Sequence, residues 1–191
     1  MGAVGGATIR VGQSNGRPIG YRPVPPGTPR WGSEWKKATA KWYLRAMNIT
    51  VTGTNMPHRY HAYDLDPTYK NAVGQPLMRL TYNFLENDKK VIAFVWQKAQ
   101  EIGRRLNATI MTGNGTLGDY SIVPYQSTHN TGGAVMGRTP KDGPLNRYLQ
   151  SWDVPNVFVV GANAFPHNSA YNPTGPVGAL DRKSTRLNSS H

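Results

Sequence analysis

The sequence predicts a loop-rich α+β fold, and three observations carry that expectation. Glycine and proline supply 21 and 15 of the 191 residues, which favours turns and short strands over a helical bundle. Residues 87–106 repeat apolar side chains at helical spacing, and several runs of four to eight β-prone residues lie between Gly, Pro and Asn. Domains commonly hold about 100–200 residues, so the length suggests one domain, or one and a half.

Taken in order, residues 1–29 are Gly/Pro-rich and show no sustained period, so they read as connection. Ser33 is placed to cap a helix reaching about Met47, with Trp35, Ala38 and Trp42 inward and Lys36, Lys37, Lys41 and Arg45 outward. Residues 49–53 suit a short strand, and residues 56–69 read as a polar loop. Residues 76–84, with Leu77, Leu80, Tyr82 and Phe84 among Arg79, Thr81 and Asn83, read as a strand. Asn87 opens the clearest helix, with Val91, Phe94, Val95, Ile102 and Leu106 on its apolar face and Arg104 and Arg105 at the negative end of its dipole. Residues 107–119 form a loop. Pro144 after Asp142-Gly143 predicts a short helix to about Trp152, and Pro155 precedes a strand at 156–160.

The formal charge of +12 invites a basic module that binds nucleic acid or an acidic surface without catalysis. The basic residues argue against that alternative, since Lys36-Lys37, Lys89-Lys90 and Arg104-Arg105 are isolated pairs on amphipathic segments, and nucleic acid is not an expected partner. The chain has no cysteine, which excludes disulfides, thiol catalysis and thiolate metal sites. No apolar run approaches the roughly 18 residues of a membrane span. His58, His61, Asp64 and Asp66 are the residue types that bind zinc or iron, but Pro57 and Pro67 argue against the continuous helix that would gather them, and no metal site is expected.

Two polar anchors stand out between Ser121 and Leu180. His129 lies in Gln126-Ser127-Thr128-His129-Asn130-Thr131-Gly132-Gly133, flanked by polar residues, and suits a general base that takes a hydroxyl proton, although a turn histidine fits the same pattern. Asn172 is placed to cap a final helix that begins at Pro173, whose free N–H groups would face an anionic group or ring. Gly161-Ala162, at the carboxyl end of the 156–160 strand, permit close approach of a ligand. His167 is a weaker candidate for contact with the same pocket.

The runs Val123-Pro124-Tyr125-Gln126-Ser127-Thr128-His129-Asn130-Thr131-Gly132-Gly133, Leu149-Gln150-Ser151-Trp152-Asp153-Val154-Pro155-Asn156 and Asn172-Pro173-Thr174-Gly175-Pro176-Val177-Gly178-Ala179-Leu180 resemble the carboxyl-terminal region of glucose-methanol-choline (GMC) oxidoreductases. The likeness is strongest to the flavin-containing large subunit of bacterial gluconate, 2-ketogluconate and sorbitol dehydrogenases. Residues 25–32 and 64–70 agree with it. The resemblance implies an incomplete GMC fold: a substrate-domain antiparallel sheet with helices, plus the carboxyl-terminal piece of an FAD-binding α/β domain. It also implies an FAD enzyme that oxidises an alcohol carbon of a sugar acid or polyol. His129 matches the active-site histidine that takes the hydroxyl proton while hydride passes to flavin N5, and Asn172 matches its hydrogen-bonding partner. Gly161, Ala162, Asn130, Thr174 and Gly175 match cofactor contacts, although the family often carries an acidic residue where this chain has Val160 or Gly161. A cytochrome c and a small subunit are the implied partners, and a periplasmic or membrane-associated location follows for the intact bacterial enzyme.

The expected organisation is a connection at 1–30, a mainly substrate-binding region at 31–125, an active-site and FAD-contacting segment at 126–180 and a non-native tail at 181–191. The tail resembles the translation of a short-read sequencing adapter and carries no functional reading. Gly2-Ala3-Val4-Gly5-Gly6 follows no strand and leads into no helix, so the dinucleotide fingerprint of the family is not among these residues, and the chain is expected to be a fragment with little activity by itself.

Overall fold

The computed structural model describes residues 2–13, 23–123 and 129–188. In chain order the elements are β1 (Ala7–Gln13), α1 (Gly32–Trp42), β2 (Met47–Gly53), β3 (Ala62–Lys70), β4 (Pro76–Thr81), α2 (Glu86–Arg105), a 3-10 turn (Ala162–Ala164) and α3 (Thr174–Asn188). Mixed helix and small antiparallel sheets are thus what the composition leads one to expect. Among the described residues no helix is long and apolar enough to cross a membrane.

β1 and β2 pair antiparallel from Ala7 opposite Gly53 to Gln13 opposite Met47. α2 lies on this ribbon through a single stripe, Asp88, Val91, Val95, Ala99 and Gly103, spaced by three and then four residues as one helical face requires. The approach is close because the facing positions are small. A Cβ on Gly53 would sit 2.9 Å from Ile92 Cδ1, and one on Gly103 would sit 2.7 Å from Met111 Sδ. Phe94 and Leu106, expected inward, are exposed instead. The contact line follows the four-residue ridge, along which Ala99 and Gly103 admit the ribbon more closely than a large side chain would.

Helix starts also differ in detail. α1 begins at Gly32 with Trp31 at the capping position, so Ser33 lies inside the helix. α2 begins at Glu86, where Asp88 accepts the Leu85 N–H at 2.9 Å. Asn87 instead clasps Val4, accepting its N–H and donating to its carbonyl, both at 2.8 Å, and so ties the lead-in of β1 to the start of α2.

Residues 62–70, read as loop, pair with β4 as a hairpin that stands largely exposed. Its turn is built by Asn71, whose Oδ1 accepts the N–H groups of Val73 and Gln75 at 3.1 and 3.0 Å, with Gly74 at φ 80°. Asp64 and Arg79 face each other across the strands, and Arg79 Nε donates to Asp64 Oδ1 at 2.8 Å. The Arg79 hydrogen bond holds the Asp64 carboxyl below its ordinary value of 3.8. A depressed carboxylate stabilises the folded state above its unfolded pKa and loses that contribution as pH falls through the folded one. Hydrogen exchange of the hairpin amides should therefore accelerate as pH is lowered past 3.8, relative to the intrinsic rates, and Asp64→Asn should remove the acceleration.

The carboxyl-terminal part has little regular structure and is held by crossing segments. Gly132, Ala134 and Met136 donate to Ala162, Asn163 and Ala164 at 3.1, 3.1 and 3.0 Å, which lays the His129 loop along the 3-10 turn. Leu145, Leu149 and Ala164 form its core, with Ala134, Met136, Val159 and Leu180 packed around them, so α3 is anchored through Leu180. The helix expected at 144–152 is absent. Asn146 Oδ1 accepts the Tyr148 and Gln150 N–H groups at 2.8 and 3.3 Å, and Leu149 sits at φ 65°, so a side-chain turn displaces the helical bonds. The strand expected at 156–160 is reduced to one bridge, Phe158 opposite Gln150.

Candidate functional site

The His129 loop is fixed on three sides. Beyond its ladder to the 3-10 turn, Asn168 Nδ2 donates to the His129 carbonyl at 3.4 Å, and Gly132, at φ 86°, has its bare α-carbon turned toward Pro57, whose Cβ a side chain there would meet at 3.7 Å. His129 is half-buried, while Asn130 and Gly133 are exposed. The loop therefore carries a half-buried histidine beside exposed residues.

Gly161 and Ala162 form the start of the 3-10 turn that receives the loop. Gly161 has φ 114°, a conformation side chains rarely adopt, and a Cβ there would lie 3.1 Å from Asn163 Oδ1. This is the bare backbone that close approach by a flat ligand requires.

Asn168 also leads to the second anchor. Its Oδ1 accepts the Ala170 N–H at 2.8 Å, which supports Ala170, buried and at φ 60°, in a tight turn. The chain then passes Asn172 and the buried Pro173 into α3. Val177 N donates to Pro173 O at 2.9 Å, so the helical bonding begins at Pro173, and the first-turn N–H groups have no earlier helical carbonyl to meet. Asn172, Thr174 and Gly175 are exposed there, and a Cβ on Gly175 would meet nothing within 4 Å. The positive end of the α3 dipole thus lies among exposed residues.

A wall of rings adjoins the loop from the amino-terminal side. Tyr82 meets His61 in a tilted contact at 4.5 Å and Tyr120 edge-on at 4.8 Å between centroids, and its hydroxyl accepts from Asn55 Nδ2 at 3.0 Å. Burial pushes the Tyr82 hydroxyl above its ordinary value of 10.0, an effect the Asn55 bond partly offsets, so it remains a neutral phenol at physiological pH. Asn168 N donates to Asn55 O at 3.1 Å and joins this wall to the loop. Asn55, Tyr82 and Asn168 escape sequence reading as site residues because they are linked only through bonds between distant segments.

Other candidates lie outside this arrangement. His167 is exposed, and its Nδ1 lies 3.1 Å from the Asn168 carbonyl. Asp64 is engaged by Arg79, and Asp66 accepts the Thr68 and Tyr69 N–H groups at 2.8 Å each, so neither carboxylate is turned to His58 and His61. Among the described residues no three His, Asp or Glu side chains gather to hold a metal. A cavity of about 480 Å3 lies between α1, β2, α2 and residues 106–112. Among the described residues its lining includes Trp42, Trp96, Arg45 and Gln100 but no His, Asp or Glu.

Comparison with known proteins places the chain in a family. The family model described as GMC oxidoreductase matches residues 64–180, which include His129, Gly161 and Asn172. The chain is 45% identical over 181 residues to the gluconate 2-dehydrogenase flavoprotein of Pantoea cypripedii, covering 94% of this chain and 29% of that protein. It is 30% identical over 150 residues to the 2-methyl-1,2-propanediol dehydrogenase of Mycolicibacterium austroafricanum, covering 78% and 26% respectively. It is 27% identical over 118 residues to the fructose dehydrogenase large subunit of Gluconobacter japonicus, covering 61% and 20%. The chain spans less than a third of the length of each of these relatives. With its family model matched over more than half of its residues, the chain belongs to the GMC oxidoreductase family.

Proposed function

We propose that the protein to which this chain belongs is an FAD-dependent oxidoreductase that dehydrogenates a CH–OH group of a sugar acid or polyol. The observation that carries this reading is the hydrogen-bonded placement of the His129 loop along the turn at Gly161 and Ala162, where Gly161 bears no side chain, in a chain whose relatives are named as a flavoprotein and as dehydrogenases. The residues present suit the ring end of FAD. Gly161 admits a flat group against its backbone, and the open first turn of α3 at Thr174 and Gly175 supplies N–H donors and a positive dipole end for a ring edge that gains negative charge.

FAD, when bound, supplies the hydride acceptor. The chain's own residues then handle the hydroxyl. His129 takes its proton as the C–H bond gives up hydride, so the carbinol becomes a carbonyl and both hydrogens are accounted for. Asn172 donates to the same oxygen and orients it, and Asn130 would contact the cofactor when it is bound. Tyr82 and His61 present an apolar ring face that suits the C–H side of a polyhydroxylated chain. By this reading residues 126–180 are the active-site segment, and residues 31–125 contribute the substrate wall.

One relative carries the name large subunit, which supports companion subunits. A small subunit and a cytochrome c acceptor, in a periplasmic or membrane-associated assembly, belong to this proposal. The test is flavin absorbance together with dye-linked oxidation of gluconate and sorbitol by the full-length enzyme carrying this segment. Asn172→Ala should lower kcat by about 10²-fold, as loss of one preorganised donor does. A flavin-free protein, or unchanged turnover of both substrates in the variant, would count against the reading.

A further inference from the structure

We propose that Asn168 is a positioning residue that sets the His129 loop and the Asn172 approach in one register. This rests on the reading of His129 as proton acceptor. Asn168 bonds three partners: its backbone N–H reaches the Asn55 carbonyl at 3.1 Å, its Nδ2 reaches the His129 carbonyl at 3.4 Å, and its Oδ1 receives the Ala170 N–H at 2.8 Å. The two side-chain bonds determine the amide orientation, because only the oxygen can accept from Ala170 and only the nitrogen can donate to His129. The side chain is half-buried between the segments it joins.

The position of these bonds gives them their consequence. Asn55 is the residue that holds the Tyr82 hydroxyl, and Ala170 sits in the strained turn two residues before Asn172. One residue therefore touches all three parts: its backbone N–H meets the substrate wall, and its side-chain amide joins the proton-accepting loop to the approach to α3. A displacement of about 1 Å among such groups is enough to cost on the order of 10²-fold in rate.

Two substitutions separate positioning from stability. Asn168→Ala removes both side-chain bonds. Asn168→Asp keeps an oxygen for the Ala170 N–H but turns a second acceptor against the His129 carbonyl, so only the loop bond is lost. In the flavin-loaded enzyme we expect both variants to lower the single-turnover rate of substrate oxidation by about 10–100-fold with KM little changed. Asn168→Asp should retain more thermal stability than Asn168→Ala. Hydrogen exchange in the full-length enzyme gives a readout independent of turnover: in Asn168→Asp the Ala170 amide should stay protected while the Gly132 amide, bonded to Ala162, exchanges faster. Wild-type rate and Gly132 protection in Asn168→Asp would overturn the proposal, as would rates that simply follow stability across the two variants. A normal rate in His129→Ala would instead remove the proton-acceptor reading, while leaving the exchange result to report on the loop.

Discussion

Replacing His129 with alanine is expected to lower the rate of substrate oxidation by about 10²–10⁴-fold, the range lost when a positioned general base is removed. The loop that carries the ring is held by backbone bonds at Gly132, Ala134 and Met136 and by Asn168 on the His129 carbonyl, none of which involves the imidazole. The variant should consequently keep these backbone bonds, while the chemical step slows. Stopped-flow bleaching of the flavin by gluconate separates these effects, since the amplitude reports cofactor content and the rate reports the chemical step. The loss should appear in kcat more than in KM, because the interaction strengthens as the alcohol oxygen gives up its proton.

Leu145→Ala is expected to be the most damaging core change, costing about 2–5 kcal/mol as large-to-small substitutions at closed sites do. Leu145 is 1% exposed, and its carbonyl also accepts the Gly137 N–H at 2.8 Å. It packs with Leu149 and Ala164, against which Met136, Val159 and Leu180 close. Its neighbours have little room to collapse into the void. A Cβ on Gly143 would already lie 2.4 Å from the Val135 carbonyl oxygen, and one on Gly137 would lie 2.6 Å from Gly143 N. Because the same cluster seats Ala164 of the 3-10 turn and Leu180 of α3, the cavity should loosen both sides of the site. Chemical denaturation followed by near-ultraviolet circular dichroism, with Trp152 nearby in sequence as a probe, measures the loss. A change below 1 kcal/mol would mean that this cluster is not the core of the segment.

Those two residues also show what draws the eye in a sequence and what does not. His129 stands out because a polar, glycine-ended loop around a histidine resembles a family pattern, and α2 is legible because a 20-residue amphipathic stripe has no competing reading. The stretch holding Leu145 is not. Pro144 after Asp-Gly favours a helix, yet the Asn146 side chain captures the local N–H groups and Leu149 adopts a left-handed conformation that burial sustains. The 62–70 strand is missed for a related reason, since Pro67 and the Asp66 side-chain bonds interrupt its period while the facing β4 still supplies a partner. Asn55 and Asn168 lie 113 positions apart, and no local pattern encodes their bond. The expected tail at 181–191 adjoins the end of the family match at 180, while α3 runs on to Asn188. Residues 124–128, which include Gln126, Ser127 and Thr128 of the first anchor, lie outside the described residues.

The central claim is that His129 and Asn172 act on one substrate oxygen. A crystal structure of the flavin-loaded enzyme with gluconate or a non-reacting analogue tests it most directly. A ring nitrogen of His129 and the amide of Asn172 should both lie within about 2.6–3.2 Å of the same hydroxyl oxygen. A hydroxyl held by other side chains, with His129 turned away from it, would contradict the account.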